Sequence, residues 1–515
     1  MSGGPHNGNR AAATDGRGDL GGLMPGQSDA SHALWHSRSL LVVLLLAELL
    51  FQAARIDFNS LRYDEAQAIV IGRDVLRGGP CPDCAQHTGS VFLHPVLAAL
   101  AYDRLGPVLG HWGARAVSIV FGLIMTASVY GIGRLLFGAP VGLLGAVLLT
   151  VQAPMLYVTR VGLYDSASAA FLAAAAWCLA RAYTSTAWSG VVLFLGGLVL
   201  GLAALIKFVT AVYLPIGVVL VLWMFGWRRW SLWFIPGLAL GLVALVPVDV
   251  LPRLAVLGSM TESTVALGQA GFTRGEIGQM LSRWLLWMAV LALLGWVDKP
   301  TRPKVALLCV LALPHPLIHL VTGAEQGLHK NIIQSLLFLG PVAAVGVGNT
   351  FRDMLRVPRA VDLRPFGYGL LILLMGVFMM KNLRWLEHQY PNTDPAVAYL
   401  QERLGPHSVL LAEESYIYDL YCDSHLSRDR VYGTYYMEYR NMRGEEAMTR
   451  FVRDGVPDFI VLSWYATPVQ DRELVAAMRG EYKRVFEYDG GVSWGTRMVQ
   501  IYRRVGPAPR APSSM

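Results

Sequence analysis

Blocks of apolar residues alternate with polar connections over most of the chain, from residue 39 to residue 381. Most blocks approach the roughly 17–25 residues that an α-helix needs to cross the hydrocarbon core of a bilayer. The pattern therefore predicts a polytopic α-helical membrane protein with about eleven transmembrane helices. The predicted spans are 39–54, 114–133, 140–158, 166–180, 188–206, 208–225, 231–251, 283–297, 305–321, 331–349 and 365–381.

The composition agrees with this pattern. Hydrophobic residues make up 54% of the 515 residues and charged residues only 15%, whereas a soluble domain carries about 25% charged residues. The net charge of +7 does not indicate a nucleic-acid partner, because much of the Lys and Arg lies in short connections between apolar blocks. The expected environment is the cell (inner) membrane, and no nucleic acid is expected to bind.

Basic residues mark every second connection between the predicted spans. Short cytoplasmic loops carry an excess of Lys and Arg, so these connections are assigned to the cytosol and the others to the exoplasmic (periplasmic or extracellular) face. The basic connections lie at Arg134, Arg181, Arg228–Arg229, Lys299–Lys304 and Arg352–Arg364. The exoplasmic connections are then 55–113, 159–165, the turn near Lys207, 252–282 and 322–330.

The two ends of the chain differ from its middle. Residues 1–34 are rich in Gly, Ala, Ser and Asp, which predicts a disordered cytosolic tail followed by a retained signal anchor. Residues 35–384 form the predicted transmembrane domain, in which 55–113 is a large first exoplasmic loop. Residues 385–515 are predicted to form an exoplasmic α/β domain with a short disordered tail.

The C-terminal prediction rests on alternating strand-like and helix-like segments. A small α/β domain fits this alternation, and a structural or acceptor-docking module is its simplest interpretation. The predicted strands are Ser408–Leu411, Phe459–Ser463 and Met498–Tyr502, and the predicted helices are Gly444–Asp454 and Asp471–Arg479.

Two cysteines of the first loop, Cys81 and Cys84, are close enough in sequence to act together. With His87 and His94 they offer the four ligands that a zinc site needs. On the oxidising side of a membrane, a local disulfide is the simpler interpretation. Both alternatives stay open at the level of sequence, with the disulfide favoured.

Four ionic spots lie in the predicted exoplasmic connections: Asp64–Glu65, Arg160 with Asp165, Lys207, and His329–Lys330. Each has an ordinary structural explanation, such as a solvated pair, an interfacial ion pair or a snorkelling lysine. The assigned topology places all four at one membrane face. Cations there can neutralise a phosphate and a carboxylate can accept a proton, so the group suits a substrate with an anionic headgroup and a lipid tail.

Several short elements follow one another over residues 38–350. They are Asp64–Glu65, Phe92–Leu97, Gly113–Ser118, Gly133–Gly138, Thr159–Asp165, Gly201–Lys207 and His329–Lys330. Their order and spacing resemble those of the C-type glycosyltransferase superfamily, the integral-membrane enzymes that use polyprenyl-phosphate-linked sugars. Bacterial relatives of protein O-mannosyltransferase and of the lipid A aminoarabinose transferase are most similar, which implies a role in the cell envelope or in protein glycosylation.

The resemblance implies an inverting transfer of a hexosyl or pentosyl group from a polyprenyl-phosphate donor to a hydroxyl of a lipid, glycan or protein acceptor. It implies that Asp64 is the general base and that Glu65 and Asp165 shape the acceptor or metal site. The residues that it implies for the donor phosphate are Arg160, Lys207, Lys330 and His329. His94 and Arg62 are further candidate contacts to donor or acceptor.

A transporter or flippase of lipid-linked sugars is the main alternative, because ionic residues mark substrate pathways there too. Transporters usually contain internal repeats and carry charges near the bilayer midplane. This sequence shows no repeat, and its charges collect at one predicted face. A non-catalytic scaffold would leave the exoplasmic carboxylates without a role. No cofactor is predicted, although a divalent cation is left open.

Overall fold

The computed structural model describes most of the chain. The described residues are 27–78, 81, 84, 87–184, 188–227, 231–243, 245–251, 273–323, 327–354, 364–434, 437–463, 468–478, 480–492 and 498–506. The predicted tail therefore lies outside them up to residue 26. Helix α1 begins at Gln27 and ends at Ala53, so the disorder predicted for 27–34 is wrong. This segment has no Gly or Pro, and adding a residue to an existing helix costs far less than nucleating one.

Two helices form the ordered part of the first loop. Helix α2 spans Tyr63–Arg77 and α3 spans His94–Leu109. The N-terminus of α2 is fixed by Glu65, whose side chain accepts a hydrogen bond from the Arg62 amide, and α2 ends at Gly78, which has a φ of 65°. The turn geometry thus places Asp64 and Glu65 in the first turn of a helix.

Twelve further helices among the described residues build the bundle that follows the first loop. They are α4 Gly113–Phe137, α5 Ala139–Thr150, α6 Ala153–Arg160, α7 Tyr164–Thr184, α8 Ser189–Ile206, α9 Tyr213–Phe225, α10 Phe234–Val243, α11 Arg274–Leu294, α12 Arg302–Ala312, α13 Pro314–Thr322, α14 Leu328–Met354 and α15 Arg364–Glu387. Short 3-10 segments extend several of them.

By length and composition, seven stretches of the described residues can cross a membrane, or eight if the bent pair α5–α6 is one span. The seven agree with predicted spans, but the count of eleven is not confirmed. Helix α7 is rich in Ala and Ser, which lowers its hydropathy, and Ser231–Val243 is too short. The predicted anchor 39–54 lies in α1, which is also not among the seven.

The bundle is interrupted at two places, within one predicted span and at the predicted turn near Lys207. The predicted span 140–158 is broken between α5 and α6 by a bend of 68°. Lys207 has an extended conformation between α8 and a short 3-10 turn, as the predicted turn requires. The first loop supports this break, since the Ser90 amide donates to the Leu205 carbonyl at 2.6 Å and the Phe208 amide to the Thr88 carbonyl at 3.1 Å.

The C-terminal residues form a five-stranded sheet in the order β2-β1-β5-β7-β6, with a separate β3–β4 hairpin. Strand β1 is parallel to β2 and to β5, whereas β7 is antiparallel to β5 and to β6. The strands are β1 Leu410–Ala412, β2 Val431–Gly433, β3 Glu438–Tyr439, β4 Met442–Arg443, β5 Phe459–Leu462, β6 Tyr482–Asp489 and β7 Met498–Arg504. The helices are α16 Asp394–Gln401, α17 Ser415–Tyr421, α18 Gly444–Arg453 and α19 Pro468–Ala477.

This sheet domain packs on the first-loop helix α2. The rings of Tyr63 and Tyr416 meet edge-on with centroids 4.9 Å apart, and Arg428 pairs with Asp74 further along α2. The Thr393 amide donates a hydrogen bond of 3.0 Å to the Ser60 hydroxyl just before α2. The C-terminal domain is therefore joined to the helix that carries Asp64.

Candidate active site

Two ion pairs lie at the centre of the candidate site. The Lys330 ammonium donates to the Asp64 carboxylate, and the Lys207 ammonium donates to the Asp165 carboxylate. Asp64 and Asp165 are in the first turns of α2 and α7, where the partial positive charge of a helix N-terminus stabilises a carboxylate. Lys330 is also close enough to Asp165 for an electrostatic interaction, so the four predicted residues form one cluster.

The members of this cluster differ in exposure. The Asp64 side chain is 34% exposed, whereas that of Asp165 is 2% exposed. Lys207 and Lys330 are mostly buried, with 11% and 13% of their side chains exposed. Asp64 is therefore the carboxylate that an incoming molecule can reach, and Asp165 holds Lys207.

A polar network inside the bundle supports Lys207. The Asn331 side chain accepts a hydrogen bond from Lys207 at 2.5 Å and lies 3.1 Å from the Nε2 atom of His319. Nearby, the Gln334 amide donates to the Thr210 hydroxyl at 2.8 Å and contacts His315. The sequence did not single out Asn331, because a neutral amide at the start of an apolar span carries no charge signal.

Arg62 links the start of α2 to the end of the bundle. It donates to the Tyr157 hydroxyl and to the carbonyls of Leu386 and Glu387 at 3.1 and 3.2 Å. Its guanidinium lies 4.7 Å from the ring centroid of Tyr157 and 4.4 Å from that of Tyr390. Arg62 is buried, and these contacts fix the backbone that leads into Asp64.

Glu65 lies next to Asp64 in sequence but points into a different environment. Its carboxylate accepts bonds from Arg115 Nε at 2.8 Å, from a terminal Arg115 nitrogen at 3.0 Å and from the Gly162 amide at 2.8 Å. Burial opposes ionisation of Glu65, but Arg115 outweighs it and holds the pKa below its usual value. The structure does not bring Glu65 to the Asp64–Lys330 pair; its carboxylate anchors α2 to α4.

Arg160 binds Glu387 and Gln52 rather than Asp165. It pairs with Glu387, and its Nε donates to the Gln52 side chain at 2.9 Å. The interfacial pair of Arg160 with Asp165, one of the explanations weighed from the sequence, is therefore wrong. Glu387 lies beyond the last predicted span, and nothing in the sequence indicated that a charge 227 positions away would compensate the buried Arg160.

Three histidines lie beside the cluster, in contact with the rings of Tyr164 and Tyr157. His87 and His94 face the ring of Tyr164 at centroid distances of 5.0 and 6.2 Å, and His329 faces Tyr157 at 5.3 Å. Burial lowers the pKa of His94 to about 4, although the charge of Asp165 opposes the shift. His94 is therefore neutral at physiological pH and lies near Asp165.

The two cysteines of the first loop form the disulfide that the sequence favoured. Cys81 and Cys84 are covalently joined, so their thiolates cannot bind zinc, and the zinc interpretation with His87 and His94 is wrong. Within the part of the chain that the structure describes, no group of three or more His, Cys, Asp or Glu could hold a metal ion.

Fold and site together define an integral membrane protein whose charged cluster lies next to a soluble α/β domain. A family model described as dolichyl-phosphate-mannose-protein mannosyltransferase matches residues 94–252. By sequence, no curated protein matches the chain significantly.

Solved structures share the fold over nearly the whole chain. ArnT from Cupriavidus metallidurans in its apo state matches with a TM-score of 0.57 and 16% identity, over 91% of this chain and 98% of ArnT. ArnT bound to undecaprenyl phosphate gives 0.56 and 15%, over 91% and 99%. The oligosaccharyltransferase AglB from Archaeoglobus fulgidus, with an inhibitory peptide and a dolichol-phosphate, gives 0.52 and 11%, over 90% and 74%.

These findings confirm the predicted resemblance to the C-type glycosyltransferase superfamily. They support a multi-pass membrane protein with the fold of this superfamily. The identities of 11–16% establish the fold alone, so the roles of individual residues have to be argued from this chain.

Proposed function

We propose that this protein transfers a sugar from a polyprenyl-phosphate donor to an acceptor hydroxyl, with inversion at the anomeric carbon and with Asp64 as the general base. The observation that carries the proposal is the contact between the partly exposed Asp64 carboxylate and Lys330, beside the Lys207–Asp165 pair. A proton acceptor and two cations thus occupy one site. Glycosyl transfer from a phosphate needs both.

The two lysines suit the phosphate of a lipid donor. Lys330 lies in the first turn of the candidate span Leu328–Phe351, and Lys207 lies at the break between the candidate spans Ser189–Ile206 and Phe208–Phe225. Both ammonium groups are thus at helix ends, where a lipid phosphate would lie with its tail along the bundle. A lysine ammonium binds phosphate as a point charge.

The proposed reaction is a single displacement. The acceptor oxygen forms a bond to the anomeric carbon while the bond from that carbon to the phosphate oxygen breaks. The acceptor proton passes to Asp64, and the bonding electrons leave with the polyprenyl phosphate, whose added negative charge Lys207 and Lys330 stabilise. Attack from the face opposite the leaving group inverts the anomeric centre.

In the proposed mechanism, donor binding activates Asp64 through the Asp64–Lys330 pair. The Asp64 carboxylate accepts a hydrogen bond from the Lys330 ammonium, so each group occupies the other. A donor phosphate that binds Lys330 would compete for its hydrogen bonds. Asp64 would then face the acceptor with less of its charge compensated, so that the base becomes active when the donor is present.

Arg160, Glu65 and Arg62 have supporting roles in this proposal because their polar atoms already bind protein groups. Asp165 orients Lys207, and His94 and His329 line the site. We place the cluster and the C-terminal domain on the exoplasmic face, as the distribution of basic connections favours.

Reconstitution in lipid vesicles tests the proposal. Purified protein is supplied with polyprenyl-phosphate sugars, mannose first because the matching family is described by it, together with lipid, glycan or peptide acceptors. We expect release of polyprenyl phosphate coupled to product formation. Asp64→Asn should fold normally and lose at least about 100-fold in rate, as removal of a general base does.

The matched control is Asp57→Asn, since Asp57 is an exposed carboxylate just upstream of α2. Its activity should equal that of the wild type. Full activity of the Asp64→Asn variant would refute Asp64 as the base. Movement of the lipid-linked sugar across the vesicle without any transfer would instead support the transporter alternative.

A further inference from the structure

The C-terminal sheet directs one edge toward the site. Strands β2, β1 and β5 are parallel, so their carboxyl ends lie at the same edge. In open α/β sheets, ligands bind outside the carboxyl ends of the strands. The residues that follow these strand ends are Glu413 and Glu414 after β1, Thr434 after β2 and Ser463 after β5.

These polar residues differ in how their hydrogen-bonding capacity is used. Glu413 accepts a bond of 2.6 Å from the Ser463 amide and a second bond from the Ser463 hydroxyl. Glu414 is only 5% exposed, yet no hydrogen bond or ion pair of its side chain occurs among the described residues. Glu414 is therefore a candidate for contact with a bound molecule.

Glu414 is also close to the proposed base. Tyr416, two residues further on, packs against Tyr63, which directly precedes Asp64 in α2. Burial and the neighbouring Glu413 raise the pKa of Glu414 to about 8, with Arg62 opposing and Asp64 adding to the shift. The carboxyl group is thus mainly protonated at neutral pH, and in this form it donates one hydrogen bond and still accepts others.

We propose that Glu414 binds the acceptor, so that the C-terminal domain forms the acceptor side of the site. This inference rests on the proposed transferase function. The lysines that suit the donor phosphate belong to the helical bundle. The strand ends that carry Glu414 belong to the C-terminal domain. One acceptor hydroxyl has to face Asp64 and a second group of the acceptor has to reach Glu414. The acceptor class that fits is therefore a carbohydrate, which carries several hydroxyls.

Steady-state kinetics of substituted protein test this assignment. Glu414→Ala should raise the KM for a glycan acceptor about tenfold, the usual effect of losing one hydrogen bond to a buried group. The KM for the donor and the slow hydrolysis of the donor by water should stay unchanged, because neither involves the acceptor. Glu414→Gln should restore acceptor binding, since an amide also donates and accepts.

Glu402→Gln is the matched control, because Glu402 is an exposed carboxylate of the same domain; it should behave as the wild type. If Glu414→Ala fails to fold, Glu414→Asp retracts the carboxyl by one methylene and should raise the acceptor KM in the same way. An unchanged acceptor KM in a folded Ala or Asp variant overturns the inference. Absence of donor turnover in the wild type would instead refute the transferase function itself.

Discussion

The Lys330 ammonium donates a hydrogen bond to the Asp64 carboxylate across a separation of 266 residues. Asp64 belongs to the first-loop helix α2, and Lys330 belongs to α14, which contains a mostly buried candidate span. The contact therefore joins the first loop to the helical bundle. A donor phosphate bound to Lys330 would therefore compete with Asp64 for the same ammonium group.

Replacing Lys330 should affect the donor more than the acceptor. We expect Lys330→Met to raise the KM for a polyprenyl-phosphate sugar at least about tenfold, because a charged hydrogen bond to the phosphate is worth roughly 1.5–3 kcal/mol. Initial rates at varied donor concentration measure the effect. Lys299→Gln, at an exposed position between α11 and α12, is the control, and an unchanged donor KM in Lys330→Met would contradict the assignment.

The Lys207–Asp165 pair should behave as a buried ion pair in stability measurements. Lys207→Met or Asp165→Asn alone leaves an uncompensated charge and should destabilise the protein by about 3–5 kcal/mol. The double substitution should cost less than the sum of the two. Thermal unfolding of the four proteins in detergent gives the coupling, and strictly additive effects would show that the two side chains do not interact.

Glu65 should make the protein sensitive to acid. Arg115 holds the folded-state pKa of Glu65 below the unfolded value of 4.5, so the stabilisation is complete above about pH 4.5 and is lost as the pH falls through the folded pKa. Glu65→Gln should lower stability at pH 7 and flatten this acid-side decline. Unfolding temperatures between pH 3 and pH 7 compare the two proteins; parallel curves would exclude Glu65 as the cause.

The charged cluster was predictable from the sequence because of its apolar surroundings. Lys207 is the only charge between Trp188 and Phe225, and an isolated charge in such a run has to lie at a break or a site. Asp64 and Lys330 were placed at one face by the alternation of basic connections. That they form a hydrogen-bonded pair could not be predicted, because it depends on the packing of distant helices.

Two further features, the bend between α5 and α6 and the burial of Glu414, could not be predicted from the sequence. The bend between α5 and α6 interrupts one largely apolar block, so hydropathy alone indicates a single span there. Glu414 lies in a segment whose polar residues look like ordinary surface. The residue is buried and interacts electrostatically with Arg62 and Asp64, which depends on how the sheet domain packs on the bundle.

The buried pair of Arg160 with Glu387 has a consequence for biosynthesis. The ribosome makes Arg160 227 residues before its partner, so the growing chain carries an uncompensated guanidinium in a nascent apolar region until the end of α15 has emerged. Assembly of the bundle around α6 must therefore be completed late. Any shortened version of this protein that ends before Glu387 would retain that unmatched charge.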